Sequence, residues 1–201
     1  FISASKTTSG NVAFLKDLSQ ENSPLLPVDE LYSTDSYLLE ALGDQLFIVT
    51  NSNAPNQKVV TVNAKRPEEK NWKDFIPETE HVLSPSSGGG YFFARYIVDV
   101  ITQVVQYNAK GDNMGTIEIP GIGTARGWNG TKEEETLYYS FTNYHSPGVL
   151  YSYDPKTKTS ELYWKPEIDF NPDDYVSEQV FYTSADGTQV PMIITRKKGV
   201  E

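Results

Sequence analysis

The sequence contains no cysteine among its 201 residues. This absence excludes disulfide bridges, a thiolate nucleophile and any cysteine-based metal site. Histidine is also scarce, because only His81 and His145 occur, and they are too isolated to predict a zinc site or a catalytic triad. His145 precedes Ser146, but neighbouring side chains in an extended chain point apart. We therefore expect neither a metal nor a cofactor.

Long apolar runs and excess positive charge are missing as well. No apolar stretch is long enough to cross a bilayer, and the mean hydropathy is -0.47. The net charge of -10 repels phosphate backbones and anionic lipids, so neither nucleic acid nor a membrane is expected as a partner. The one tight basic cluster, residues 196–198, is interpreted as a solvated strand end. These features predict a soluble protein, either cytoplasmic or periplasmic.

Motifs that carry chemistry are absent too. No serine stands in a G-x-S-x-G elbow, so no catalytic serine is assigned. Gly121, Gly123 and Gly127 approach a dinucleotide fingerprint, but the last interval is one residue too long, and we interpret them as a turn between repeats. Adjacent carboxylates such as those of residues 133–135 are interpreted as solvated surface, because acid/base pairs come from facing positions. We assign no catalytic, metal-binding or cofactor-binding residue.

A repeated pattern is what the sequence does contain. Four segments share an alternating apolar strand that ends on an acidic or amide residue and a polar turn: "NVAFLKD", "KVVTVNA", "TQVVQYNAKG" and "GVLYSYDPKTK". The turn residues Asp17, Asn63, Asn108 and Asp154 follow one another at intervals of 46, 45 and 46 residues. Such regularity indicates a repeat architecture.

Other strands recur at fixed places around these turns. Strand-like segments precede them in "DQLFIVTNSNAP", "GYFFARYIVDV" and "ETLYYSFTNYHSP", and follow them in "LLPVDELYS", "WKDFIPE", "GTIEIPG" and "SELYWKP". Three clear strands and one weaker strand in about 45 residues are typical of a β-propeller blade. The segment "DELYSTDSYLLEALGDQL" has leucines at helical spacing, but the repeat register predicts strands there.

We therefore predict an all-β protein, a partial β-propeller of about three and a half to four four-stranded blades. Residues 1–33 would form a blade without its innermost strand, followed by complete blades at 35–80, 81–123 and 124–166. Uncovered strand edges in such a partial ring favour self-association.

The last segment, "VFYTSADGTQVPMIITRKKGVE", predicts a β-hairpin with its turn at Asp186-Gly187. Two strands alone are marginal in water, so this hairpin should pair with a further element. The sequence also starts within a strand-like pattern, "FISAS", without an initiator methionine. We therefore expect the chain to be a piece of a longer protein.

Four stretches carry a resemblance to a known family: "TNSNAPNQKVVTVNAKRPEEKNWKDFIPETEHVL", "IEIPGIGT", "YYSFTNYHSPGVLYSYD" and "VFYTSADGTQVPMIITRKKG". Together they resemble the prolyl oligopeptidase (prolyl endopeptidase) family of serine peptidases, in order over nearly the whole chain and most weakly before about Tyr37. The resemblance implies a parent enzyme with an α/β-hydrolase domain, which bears a Ser-Asp-His triad, and a seven-bladed propeller that admits only short peptides. Such enzymes cleave on the carboxyl side of proline.

The resemblance also implies a division of this chain. Residues 1–168 would be blades 4 to 7 of the seven-bladed ring, and residues 169–201 the linker and first β-hairpin of the hydrolase domain. The triad would lie outside the chain, so none of its members is carried over to a residue here, and the chain alone is expected to be inactive. Its expected partners are the hydrolase domain of the same parent and, in that parent, short proline-containing peptides.

Two loops stand at equivalent places in their repeats, "TNSNAP" and "TNYHSP". Turn-forming Asn and Pro suggest that both loops are rigid. We expect them to emerge on the face that meets the hydrolase domain. The candidate interface residues are Asn51, Asn53, Asn143 and His145.

Two alternatives remain open. A non-enzymatic propeller could serve as an interaction scaffold or a lectin, because the fold hosts many functions, although the Trp-Asp and Gly-His dipeptides of one scaffold class are missing. A relative such as oligopeptidase B, which prefers basic residues, would keep the peptidase class and change the specificity.

Overall fold

The computed structural model describes residues 1–200, and nearly all of its regular structure is β-strand. The chain divides into two compact units, Phe1–Pro85 and Ser86–Glu201. Within residues 1–200, no helix is long and apolar enough to span a membrane. The helical residues are confined to two short 3₁₀ turns, Glu69–Asn71 and Pro172–Asp174.

The first unit contains two antiparallel sheets whose strands follow chain order. The first sheet has three strands: β1 (Ile2–Ala4), β2 (Val12–Leu15) and β3 (Leu26–Asp29). The second sheet has four strands: β4 (Ser36–Leu42), β5 (Gln45–Thr50), β6 (Lys58–Asn63) and β7 (Lys73–Ile76).

Two further four-stranded antiparallel sheets and a hairpin follow along the chain. The third sheet comprises β8 (Ser84–Gly88), β9 (Tyr91–Val98), β10 (Ile101–Asn108) and β11 (Asn113–Thr116). The fourth sheet comprises β12 (Thr124–Gly127), β13 (Leu137–Asn143), β14 (Ser146–Asp154) and β15 (Thr159–Trp164). The terminal hairpin pairs β16 (Tyr175–Thr183) with β17 (Gln189–Lys197).

The repeated turn residues have one local cause. In each case the side-chain oxygen accepts a hydrogen bond from the backbone N–H two residues further on, which closes an Asx turn after the strand. The distances are 2.9 Å at Asp17, 2.9 Å at Asn63, 2.9 Å at Asn108 and 2.7 Å at Asp154. Since the same chemistry ends the third strand of every four-stranded sheet, the interval in the sequence is the length of one sheet.

The same register explains why the first sheet has three strands. Asp17 follows β2, as Asn63 follows β6, so β2 takes the place of a third strand and β1 that of a second. Within residues 1–200 this sheet has no strand in the first position. The predicted all-β class, with blades of this size and one incomplete blade, is confirmed.

The segment with helical leucine spacing is a strand, as the register predicted. Strand β4 pairs with β5, whose Phe47, Ile48 and Val49 are fully buried. A register shift between Leu38 and Glu40 inserts an extra residue, and this β-bulge breaks the two-residue alternation. Cross-strand pairing with a buried strand therefore outweighs the helical pattern.

One predicted strand lies earlier than expected. The segment "GTIEIPG" was predicted as a strand, whereas β11 spans Asn113–Thr116 and ends before Ile117. The ladder with β10 shifts between Gln106 and Tyr107, which moves the pairing toward the Asx turn. Ile117 still donates its backbone N–H to Val104 O at 2.8 Å.

The third and fourth sheets pack face to face through an aromatic cluster. Phe93 and Val104 contact Trp128, Tyr139 and Tyr153 in one buried group. The Trp128 and Tyr139 rings stack with centroids 4.3 Å apart. Buried aromatic pairs of this kind add about 0.5–1.5 kcal/mol beyond the area that they bury.

A buried amide also links these two sheets. Gln106 on β10 is fully buried, and its side chain donates to Pro155 O at 2.8 Å. The hydroxyl of Tyr153 donates to the Gln106 amide oxygen at 2.5 Å. Burial raises the pKa of Tyr153 far above its ordinary value, so this hydroxyl stays a donor. We call this group the Gln106 link.

A different polar group joins the first and second sheets. The side chain of Asn11 donates to Ser36 O at 2.8 Å and accepts from Ser36 N at 2.8 Å. It thereby pairs with the start of β4 as a neighbouring strand would. Asp29 completes the group by accepting from the Ser36 hydroxyl at 2.7 Å and from the Thr34 hydroxyl at 2.8 Å. We call this group the Asn11 link.

Replacing the amide in the Asn11 link should destabilise the first unit. Asn11→Ala leaves the N–H and C=O of Ser36 buried without these partners, and an unsatisfied buried group costs about 1–3 kcal/mol. We expect a loss in the free energy of unfolding of that order, with faster amide hydrogen exchange at Ser36. The exposed Asn129→Ala variant is the control. Unchanged exchange at Ser36 in Asn11→Ala would contradict the assignment.

Candidate interface at the turns between second and third strands

The candidate residues lie on the turns that join the second and third strands of two sheets. The loop between β5 and β6 holds Asn51 and Asn53 in the first unit. The turn between β13 and β14 holds Asn143 and His145 in the second unit. The two turns thus occupy equivalent places in their own sheets, as the sequence predicted.

Asn51 forms its hydrogen bonds within its own sheet. Its backbone N–H donates to Asp35 O at 3.2 Å, and its side-chain oxygen accepts from Asp35 N at 2.7 Å. These bonds prolong the β4–β5 pairing by one residue. Asn53, by contrast, is exposed and has a φ of 50°, in the left-handed region that Asn adopts more readily than most residues. Asn53 is therefore exposed on this loop, whereas Asn51 fixes the start of the loop to Asp35.

Asn56, which sequence reasoning missed, anchors the far side of this loop. Its backbone N–H donates to the Glu78 carboxylate at 2.7 Å, and its side-chain amide donates to Thr79 O at 3.0 Å. Leu83 N in turn donates to Asn56 O at 2.9 Å. Ser52 adds a hydrogen bond to the Glu69 carboxylate at 2.6 Å. The loop is thus fixed by contacts along its length.

The β13–β14 turn brings Asn143 and His145 together. The Asn143 side-chain oxygen accepts from His145 N at 3.1 Å, and its amide nitrogen lies 3.4 Å from His145 Nε2. The other ring nitrogen, Nδ1, is buried and has no hydrogen-bond partner within residues 1–200. Tyr144 between them is 77% exposed. The turn therefore presents an aromatic side chain beside a ring nitrogen that lacks a partner.

This turn faces the end of the chain. Tyr144 and His145 line a cavity of about 380 Å³ together with the linker and both hairpin strands, through Phe170, Tyr175, Thr195, Arg196 and Lys197. The Phe170 and Tyr175 rings meet edge to face with centroids 5.8 Å apart. The turn of the fourth sheet and the hairpin thus share a concave surface.

The corresponding turn of the third sheet contacts the hairpin as well. Asp99 and Val100 have φ angles of 46° and 66°, as in the type I′ turns that suit two-residue hairpins. The Gln179 side chain on β16 donates to Asp99 O. The hairpin therefore contacts the second-to-third strand turns of both sheets in its unit.

The hairpin itself is well paired but leaves apolar side chains exposed. The Ser177 and Thr195 hydroxyls lie 2.8 Å apart, and Arg196 forms an ion pair with Glu178 at 3.0 Å. Four apolar side chains nevertheless remain between 39% and 50% exposed: Phe181, Tyr182, Met192 and Ile194. A two-stranded sheet with this much apolar surface is suited to further packing.

The described residues form no polar cluster of the metal-binding kind. Across residues 1–200, no group of three or more His, Cys, Asp or Glu side chains is placed to hold a metal ion. His81 is partly exposed and lies 3.8 Å from the Glu80 carboxylate. The candidate surface thus consists of turns, amides and aromatic rings, which suit contact with another protein surface.

Comparison with known proteins gives the context of this surface. The family model described as "Prolyl oligopeptidase, N-terminal beta-propeller domain" matches residues 1–166. The prolyl endopeptidase of Elizabethkingia miricola is 44% identical over 200 residues, which cover 100% of this chain and 28% of that protein. The chain therefore spans less than a third of the length of this relative.

Solved structures agree with the sequence match. A prolyl endopeptidase structure from a study of inter-domain dynamics in catalysis and specificity matches with a TM-score of 0.80 and 32% identity, over 96% of this chain and 28% of that one. Prolyl oligopeptidase B from Galerina marginata, in its apo form, matches with a TM-score of 0.85 and 25% identity, over 98% of this chain and 29% of that one.

The turn of the hairpin contains a carboxylate that makes the pairing of β16 with β17 depend on pH. The Ser184 hydroxyl and the Thr188 N–H donate to the Asp186 carboxylate and lower its pKa from 3.8 to about 2. A lowered pKa stabilises the folded turn above the ordinary value, and this stabilisation is lost as pH falls through about 2. The protection factors of the β16 and β17 amides, which correct for the pH dependence of intrinsic exchange, should therefore fall between pH 4 and pH 2.

The variant Asp186→Asn should remove this pH step, because the amide does not titrate. Asp173→Asn, whose carboxylate makes no hydrogen bond or ion pair within residues 1–200, is the control and should keep the step. The same acid-induced loosening of the hairpin in Asp186→Asn would refute the role given to this carboxylate.

Proposed function

Because this chain belongs to the prolyl oligopeptidase family through its N-terminal β-propeller domain, we propose that it forms the second half of the substrate-gating propeller in a serine peptidase. The parent enzyme would cleave short peptides after proline. The observation that carries the proposal is the 44% identity to a prolyl endopeptidase over the whole chain. The chain would supply the gate and none of the catalytic triad.

The division of the chain follows from the same proposal. Residues 1–168 would be blades 4 to 7, and residues 169–201 the linker and the first hairpin of the hydrolase domain. Two observations support this division: the last strand of the fourth sheet ends at Trp164, and the hairpin carries exposed apolar side chains. The hydrolase domain of the parent would pack on those side chains.

The interface would be the surface of turns between second and third strands. In this proposal Asn53, Asn143 and His145 contact the hydrolase domain, while Asn51 holds its loop through Asp35. Support comes from the cavity that His145 shares with Arg196 and Lys197, because those residues lie on the hairpin assigned to the hydrolase domain.

The proposed mechanism is exclusion by size. Peptide hydrolysis needs a nucleophile, a base and oxyanion donors held together, and these would come from the hydrolase domain. The propeller would cover that site, admit short peptides and keep folded proteins out. For the chain on its own, we propose self-association through the edge strands that its sheets leave open.

Two measurements test the proposed function. The 201-residue chain should show no cleavage of a chromogenic proline peptide, whereas the full-length parent should cleave it. In the parent, His145→Ala should lower kcat/KM about fivefold, since a loss of about 1 kcal/mol in the closed state corresponds to that factor. Asn129→Ala, a change at an exposed position outside the proposed interface, is the control.

The proposed interface fails if His145→Ala and Asn53→Ala both leave activity and domain closure unchanged in the parent. Cleavage of the proline peptide by carefully purified 201-residue chain would refute the gating role. A parent reading frame without a hydrolase domain would refute the peptidase assignment itself.

A further inference from the structure

A cavity of about 580 Å³ lies at the end of the second sheet, where β6 leads into β7. Three cationic side chains line it, those of Arg66, Lys70 and Lys73. All three residues are exposed. Within residues 1–200, no Asp or Glu side chain belongs to its lining. We call it the Arg66 cavity.

Local hydrogen bonds hold the loop that carries these cations. Arg66 N donates to Asn63 O at 2.9 Å, which continues the turn after β6. The Asn71 side chain donates to Arg66 O at 3.1 Å and so links the two ends of the loop. The indole N–H of Trp72, which also lines the cavity, donates to Pro67 O at 2.9 Å. The loop is therefore ordered before a ligand arrives, which lowers the entropy cost of binding.

The sheet supplies the other wall of the Arg66 cavity. Thr61 on β6 pairs with Lys73 on β7, so the two side chains lie on the same face of the sheet. The Gln45 side chain on β5 donates to the Thr61 hydroxyl at 2.8 Å. Lys73 therefore leaves the sheet beside neutral hydrogen-bonding side chains.

Two glutamates of the same loop form hydrogen bonds outside the cavity. The Glu68 carboxylate accepts from the Asn71 amide at 2.9 Å, and the Glu69 carboxylate accepts from the Ser52 hydroxyl at 2.6 Å. Both glutamates line a neighbouring cavity, which Lys70 shares. Lys70 thus lies between the two cavities, and the acidic side chains lie on the other side of it.

Two nearby aspartates are neutralised as well, because each forms an ion pair with a lysine outside the lining of the cavity. These pairs are Asp44–Lys65 at 2.6 Å and Asp74–Lys58 at 2.9 Å. The cations of the Arg66 cavity, by contrast, form no ion pair within residues 1–200. The chain has 27 acidic and 17 basic residues, so carboxylates are in excess elsewhere. A local positive potential in so acidic a chain attracts a small anion.

We propose that the Arg66 cavity binds a small molecule that carries a phosphate group. A phosphate group bears about two negative charges at neutral pH, which match three cations better than the single charge of a carboxylate. The guanidinium fork of Arg66 suits two phosphate oxygens, and the lysine ammonium groups bind oxygens as point charges. The volume also lies within the range of about 300–1,000 Å³ that is typical of ligand sites.

The site lies apart from the proposed domain interface. Strand β6 runs from Lys58 to Asn63. The loop with Asn53 precedes the first of these residues, whereas the Arg66 cavity lies beyond the last one, at the opposite end of the strand. A phosphate ligand could therefore bind while that interface is formed.

Isothermal titration calorimetry on the full-length protein that contains this chain tests the site. Inorganic pyrophosphate and adenosine 5′-monophosphate should bind, and adenosine should not. Arg66→Gln and Lys73→Gln should each weaken pyrophosphate binding about tenfold, since a lost charged hydrogen bond has about this effect. Lys110→Gln is the matched control, because it removes the same charge at an exposed position after β10 and outside the cavity.

The ligands distinguish two sources of the phosphate group. Equal affinity for pyrophosphate and adenosine 5′-monophosphate assigns recognition of the phosphate alone. Tighter binding of the monophosphate assigns a phosphate ester whose ring stacks on the indole of Trp72. In that case the monophosphate should quench the protein fluorescence, and Trp72→Phe should abolish this quenching.

Several results would overturn the proposal. They are an equal loss of affinity in Lys110→Gln, binding of adenosine as tight as that of its monophosphate, binding of acetate as tight as that of pyrophosphate, and no saturable binding of either phosphate ligand. An unchanged melting temperature of Arg66→Gln and Lys73→Gln checks that the fold is intact. Because binding is measured rather than cleavage, a failure of the peptidase assignment leaves this test unaffected.

Discussion

The packing of one sheet on the next is the constraint on which this structure depends. Each sheet is a short meander with apolar side chains on both faces, and a meander of this size cannot bury both faces alone. In the first unit, Ala13 and Val28 of one sheet share a core with Ile48 and Val60 of the next. In the second unit, the aromatic cluster around Trp128 has the same role. Burial of both faces of a sheet therefore requires a neighbouring sheet on each side.

Much of the fold could be predicted because its signals are local. The Asx turns at Asp17, Asn63, Asn108 and Asp154 need only residues adjacent in the chain, so their spacing is readable in the sequence and marks one sheet per interval. The spacing of the leucines up to Leu42 predicts a helix only when the repeated interval between the Asx turns is ignored. The position of β11 could not be read, because a register shift in its partner strand decides where pairing occurs.

The functional surface could be predicted only in part, for the same reason. Equivalent loops were found from the repeated Thr-Asn and Pro, and the structure places both between second and third strands. Asn56 was missed because its partners, Glu78 and Thr79, lie beyond the next two strands.

The two polar links show that the sheets, although built alike, are joined differently. The Asn11 link imitates a strand by bonding both backbone groups of Ser36, whereas the Gln106 link connects a side-chain amide to a hydroxyl and a carbonyl. A sheet moved to another position would present the wrong donors and acceptors to its new neighbour. The sheets are therefore alike in architecture but not interchangeable. The polar contacts between neighbouring sheets determine which sheet can follow which.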